Sequence, residues 1–171
     1  MKQCAKDWIE NEDAKCKKLR IKNLEWLINN TPSKENLIFH GGSITKYLFE
    51  ETRYCFVYAQ YLAAIVLGFS FIEHTLASLF FASGKNKLAR SSVANILSKA
   101  NEIGLFSDEE YKHLLKAKNI RNSVIHFRIP LDKETIDFKA IFENKHQYEI
   151  IKEDAKYVLQ VVLKLLDKDA I

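Results

Sequence analysis

Residues 54–72 read YCFVYAQYLAAIVLGFSFI, 19 in a row without a charged side chain, and what encloses them decides the fold. That length approaches a bilayer span. Tyr54, Tyr58 and Tyr61 crowd the first half of the run instead of forming two interfacial belts, and Gln60 and Ser70 interrupt it. No strong Lys/Arg asymmetry flanks it, and Glu73-His74 follow with a further apolar stretch behind them. A helix apolar on all sides is equally the core helix of a bundle that a partner subunit covers. The reading is therefore buried core, in a helix from Ile44 to about Ser83 with little interruption. A membrane-associated protein is the minority alternative.

Working outward, the flanks also read as helices. Residues 3–29 form an amphipathic helix or helix pair with Trp8, Ile9, Leu19, Leu24 and Leu27 on the apolar side, stopped at Asn29-Asn30-Thr31-Pro32-Ser33. Lys15, Lys17, Lys18, Arg20 and Lys22 make this arm locally basic. A loop through Gly41-Gly42 follows, with Ser43 as the expected N-cap of the long helix. After the basic turn Gly84-Lys85-Asn86-Lys87, residues Val93, Ile96, Leu97, Ala100 and Ile103 recur at helical spacing, and Gly104 stops them. Ser107-Asp108-Glu109-Glu110 is a capping box, with Phe106 placed to staple onto Tyr111. The helix it opens should run to about 127, before Pro130. Residues 131–147 read as mixed and polar, with Ile136, Phe138 and Phe142 available to cover a core edge. From about 150 to 167, Ile151, Ala155, Val158, Leu159, Val162, Leu165 and Leu166 share one stripe. The fold class expected is all-α: a bundle of four main helices over 43–171 and an N-terminal helical arm over 1–40.

Composition agrees. The 171 residues, 47% apolar and 28% charged, suit one globular domain, and 5 Gly with 2 Pro leave little for a turn-rich sandwich or a glycine-cradled nucleotide site. Twenty-six Lys and Arg against 22 Asp and Glu give a net charge of +4, which permits a nucleic-acid partner without demanding one. Cys4, Cys16 and Cys55 are odd in number and lack C-x-x-C spacing, so neither a disulfide framework nor a zinc knuckle is expected. In MKQCAKDWIENEDAK, charges interrupt every apolar pair; no secretory core is expected, and the cytoplasm is the expected location. His40, His113 and His146 are scattered, and H-E-x-x-H, G-x-S-x-G and P-loop patterns are absent from the sequence. No metal and no cofactor are expected.

Chemistry concentrates near the end of the capping-box helix, in Asn119, Arg121, Asn122 and His126. Asn122 and His126, four apart, share a helical face; Arg121 and His126, five apart, are about 140° around and about 7.5 Å along the axis. They can line one cleft if a second helix, above all one from a symmetry mate, closes over the ridge between them.

Arg121-Asn122-Ser123-Val124-Ile125-His126 resembles the Arg-Asn-x-x-x-His form of the Arg-x(4–6)-His motif of HEPN domains. The resemblance covers roughly residues 50–167. It comprises a long apolar helix with an internal acid, Glu73, then a shorter helix, the motif near the end of the next, and a final amphipathic helix. The family is all-helical, usually dimeric, and commonly a metal-independent endoribonuclease of bacterial toxin and phage-defence systems. The resemblance therefore implies RNA as substrate, a homodimer, and an antitoxin or other defence-system protein as partner, with no membrane. It also implies Arg121 and His126 of two copies converging at their interface, with Asn122 as the polar residue after the arginine. Many family toxins carry Tyr two residues after the histidine; Arg128 stands here, which does not support regulation by adenylylation of such a tyrosine.

The side chains fit that chemistry. An imidazole titrates near neutrality and can take a proton from a ribose 2′-OH or return one to the leaving oxygen. A guanidinium offers a planar fork of donors to the extra charge on a pentacoordinate phosphorus. Lys116, Lys118 and Arg128 are expected to bind the RNA backbone, joined by Lys85, Lys87 and Arg90 of the preceding turn and helix if they share a face. Glu73, the lone acid of its apolar stretch, is expected to support Arg121 or His126 as a structural partner. The alternative reading is a HEPN-like module that binds RNA or a protein without cutting, with Arg121 in a plain ion pair and His126 satisfied by the backbone.

Overall fold

A computed structural model describes residues 4–33, 37–129 and 131–168. Among them are eight helices and no strand: α1 (Ala5–Asn30), α2 (Gly42–Val57), α3 (Tyr61–Ala82), α4 (Asn86–Ala89), α5 (Val93–Glu102), α6 (Asp108–Ile125), α7 (Ile136–Glu143) and α8 (Gln147–Asp167). The protein is all-α. Gln3 and Pro130, at the ends of two expected segments, lie outside the described residues.

The uncharged run is not one helix. It breaks at Tyr58-Ala59-Gln60, where Ala59 takes the left-handed conformation with φ 61°. The Ala59 N–H bonds Phe56 O at 3.1 Å and the Gln60 N–H bonds Cys55 O at 2.8 Å, the paired bonds of a Schellman stop. Gly104 and Gly84 close α5 and α3 with the same bond pair, and glycine takes a positive φ there without steric penalty. Alanine gives no such warning in the sequence. The expected helix over 44–83 is thus a hairpin of α2 and α3. Its N-cap is Gly41 rather than Ser43, because α2 begins at Gly42.

α3 is the central helix, packed against α2, α4, α5, α6 and α8. By length and composition it is the one described helix apolar enough to cross a membrane, with a mean hydropathy of 1.7 in its most apolar window. Within the bundle it buries Tyr61, Ile65, Phe69, Phe71, Ile72, Leu76 and Phe80. Gly68 marks a close crossing: a Cβ there would stand 3.1 Å from Val158 Cγ1 of α8 and 3.2 Å from Thr52 Cγ2 of α2. Across it α8 presents Ala155, Val158, Leu159 and Val162, all buried.

α1 divides in two. Its second half belongs to the core. Leu27 is buried, and the buried Asn23 donates from Nδ2 to Phe56 O at 3.0 Å, closing the C-terminal end of α2, and to Tyr61 Oη at 3.0 Å. Its first half does not pack: Trp8 is 56% and Ile9 54% exposed. The expected apolar side is therefore half solvent, since amphipathic spacing says where a face is and not whether anything lies beneath it.

Residues 131–147 hold α7, which the mixed composition hid. Thr135 caps it, its Oγ1 accepting from Phe138 N–H at 3.2 Å, and Ala140 is buried while Phe142 is 78% exposed. The cover over the core edge is therefore Ala140, with Ile136 and Phe138 half-buried. Besides α1, the long helices are α2, α3, α6 and α8, in place of the expected four, one of which fused α2 with α3.

Candidate functional site

α6 begins at its capping box: Ser107 N–H donates to Glu110 Oε2 at 2.7 Å and Glu110 N–H to Ser107 Oγ at 3.2 Å. Phe106 is buried and Tyr111 half-buried against the same core. Leu114, Ala117 and Ile120 form the buried side, and this register turns Arg121 toward α3. The helix stops at Ile125, two residues short of the expected end. His126 follows as C-cap with extended backbone, φ −107° and ψ 132°, its N–H still bonded to Asn122 O at 3.1 Å.

Arg121 is held on three sides. Its Nη2 stands 3.5 Å from Glu73 Oε2, its Cζ lies 4.7 Å from the centroid of Phe69, and its Nη1 donates to Asn122 Oδ1 at 3.1 Å. The side chain is 15% exposed, against 37% for Glu73, so the pair lies at the edge of the core. An ion pair and an aromatic face together hold the guanidinium in one partly exposed pose. The structure thus brings Arg121, Asn122 and Glu73 together.

It does not bring His126 to them. His126 is exposed, and its ring makes no hydrogen bond among the described residues. His126 is the C-cap and not the helical residue expected on the face of Asn122, and Asn122 Oδ1 is taken by Arg121. The histidine stands instead among uncovered apolar neighbours: Ile125 at 43%, Phe127 at 92% and Ile129 at 75% exposure.

The cations expected to hold RNA are dispersed. Lys116 Nζ sits 4.1 Å over the ring of Tyr157, facing α8. Arg128 Nη2 pairs with Glu134 Oε2 at 2.7 Å, and its Nε is buried without a partner. Lys118 is half-buried and without an ion pair among the described residues. Among the described residues none of the three shares a hydrogen bond, ion pair or ring contact with Arg121.

Sequence reading missed a second polar cluster. His113 Nδ1 lies 2.6 Å from Tyr157 Oη, and Glu109 Oε1 is 3.8 Å from His113 Nε2. Burial pushes the Tyr157 phenol up from its ordinary value. The two residues are 44 apart, and nothing local to either names the other. His146, also unassigned, caps α8 by accepting from Tyr148 N–H at 3.1 Å. Among the described residues no group of three or more His, Cys, Asp or Glu is gathered as metal ligands. A groove of about 550 Å³ between α1 and α2, lined by Leu24, Leu27, Arg53, Tyr54, Val57 and Tyr58 among others, is not lined by Arg121, Asn122 or His126.

No family model matches the chain, no curated protein matches it, and no solved structure matches it.

Proposed function

We propose that the protein is a metal-independent endoribonuclease of the HEPN type, a cytoplasmic toxin or phage-defence effector that works as a homodimer. One observation carries the reading. Arg121 is fixed in a partly open pose by Glu73, Phe69 and Asn122, while a few residues on His126 projects from the end of the same helix beside Ile125, Phe127 and Ile129, all exposed. Exposed apolar side chains around an exposed imidazole suit a face that a second copy covers, which would bring two Arg/His pairs to one cleft.

In that cleft an imidazole of His126 takes the proton of a ribose 2′-OH, the alkoxide attacks the adjacent phosphorus, and the 5′-oxygen leaves with a proton from the second imidazole. The products are a 2′,3′-cyclic phosphate and a 5′-OH. Arg121 offers its donors to the charge on the pentacoordinate phosphorus, and Asn122, its Oδ1 engaged, keeps its amide N–H groups for a phosphate oxygen. Lys118 is the cation free to track the strand, whereas Lys116 and Arg128 must leave Tyr157 and Glu134 to join it.

The second reading is a module that binds RNA or a protein partner without cutting, favoured by the Arg121–Glu73 pair taken as purely structural. Incubating the purified chain with structured and unstructured RNA decides between them. Cleavage that survives EDTA and disappears in His126→Ala and in Arg121→Ala, with helical circular dichroism unchanged, supports the nuclease. Cleavage undiminished in either variant removes the assignment, and RNA retention without cleavage supports the second reading.

A further inference from the structure

The chain enters α2 through His40-Gly41-Gly42-Ser43, where Gly41 and Gly42 both hold positive φ, 100° and 73°. A glycine N-cap offers no side-chain acceptor to the first N–H groups of the helix, which have no carbonyl to bond within it. Those of Gly42, Ser43 and Ile44 sit at exposed residues, at the positive end of a 16-residue helix dipole.

Beneath them lies Thr45, 0% exposed, whose Oγ1 has no hydrogen-bond partner. That oxygen is turned onto the start of the helix. It stands 2.3 Å from where a Cβ on Gly41 would be, and Ser78 Oγ of α3 is 3.4 Å from the same point. One turn before Ser78, Thr75 is 5% exposed, and its Oγ1 also lacks a partner. A buried hydroxyl without a partner is destabilising, so two on facing helices weigh against the fold unless something accepts from them. Backbone N–H groups only donate and hydroxyls can, which matches a ligand made of acceptors.

We infer that the Gly41-Gly42 turn binds a phosphate group, free in solution or at the end of a nucleotide, through the N–H groups of Gly42 and Ser43 and the hydroxyls of Ser43 and Thr45. The site is independent of the Arg121/His126 reading and stands or falls without it. Gly41 is essential to it, because any side chain there would collide with Thr45 Oγ1.

The test is a titration of the ¹⁵N-labelled full chain with inorganic phosphate, uridine 5′-monophosphate and uridine, following the amide signals of residues 41–45. Saturable shifts with the two phosphates and none with uridine are expected. Tighter binding of the monophosphate assigns a nucleotide end, and equal binding assigns free phosphate. Thr45→Val should weaken binding by about fivefold, the worth of one hydrogen bond, while raising Tm because the unpaired hydroxyl is gone. Ser43→Pro, which deletes one N–H in a helix turn that tolerates proline, should also weaken it. Absence of saturation at millimolar phosphate overturns the site. Saturation that Thr45→Val and Ser43→Pro leave untouched overturns it too, as an adventitious ion only.

Discussion

Arg121 of α6 and Glu73 of α3 face each other at 3.5 Å, and the guanidinium lies across the ring of Phe69 one turn back on α3. Glu73 is the one acid of α3, set in its most apolar stretch. With Glu73 more than a third exposed, the pair itself contributes little to stability, under about 1 kcal/mol. Its effect is on the pose of the arginine. Glu73→Gln should therefore leave urea denaturation nearly unchanged and, under the proposed nuclease function, lower kcat for RNA cleavage more than it raises KM. An unchanged kcat would make the pair a bystander.

Ala59 should be improvable. A non-glycine residue at φ 61° bears a steric cost of about 1–2 kcal/mol that glycine avoids, offset in part by glycine's greater freedom in the unfolded chain. Ala59→Gly is expected to stabilise by about 0.5–1 kcal/mol. A lower Tm would mean that the methyl group is needed where it packs against the core.

The same residue shows why some boundaries were readable and others not. Gly84 and Gly104 announce the ends of α3 and α5, and Ser107 with Glu110 announces the start of α6, because their side chains, or lack of them, do the work locally. Ala59 obeys the packing of α2 on α3, which no neighbouring residue encodes. α7, at eight residues, is too short for periodicity to declare it. At the candidate site the string from Arg121 to His126 was legible, and so was Glu73 as an acid in need of a partner. That α6 ends at Ile125, leaving His126 outside it, depends on the loop beyond. That Lys116 turns to Tyr157 depends on α8, 41 positions further on.

Asn23 should be the residue on which the docking of α1 depends. It is 1% exposed, and its Nδ2 reaches Phe56 O, Val57 O and Tyr61 Oη. Asn23→Ala removes these bonds, leaving Phe56 O with the Ala59 N–H alone and the buried Tyr61 Oη without its Asn23 partner, for a loss of about 1–3 kcal/mol in chemical denaturation. Faster amide exchange in residues 19–30 should accompany it. Unaltered stability would show that α1 is held by Leu27 and Trp26 alone.

Alkali should reveal the same contact. Burial, with Tyr148 adding to it and Asn23 opposing, pushes the Tyr61 phenol from 10.0 up to about 12. Between those values the unfolded chain has already lost the proton that the folded chain keeps. Stability tied to this group is therefore complete below the ordinary tyrosine value and declines as pH climbs toward 12. Tyr61→Phe should flatten that decline in Tm; an identical slope would place its cause elsewhere.

In acid the corresponding group is Glu110. Lys168 Nζ lies 2.9 Å from both its oxygens, and that bond first, then the Ser107 N–H, holds the carboxyl below its ordinary range. Here the unfolded chain takes up the proton first as pH falls. The stabilisation is full above the ordinary carboxylate value and is lost as pH drops through the lowered one. Lys168→Met should move the midpoint of acid unfolding to higher pH, and a fixed midpoint would discount the link between the ends of α6 and α8.

Gly68 has a last consequence. Thr52 of α2 and Val158 of α8 both crowd the place where its side chain would be. One added methyl would require Val158 and Thr52 to give way by a few tenths of an ångström at the centre of the protein. The displacement would pass along α8 toward Tyr157 and along α3 toward Glu73, so a position with no polar group of its own would still govern how Glu73 meets Arg121.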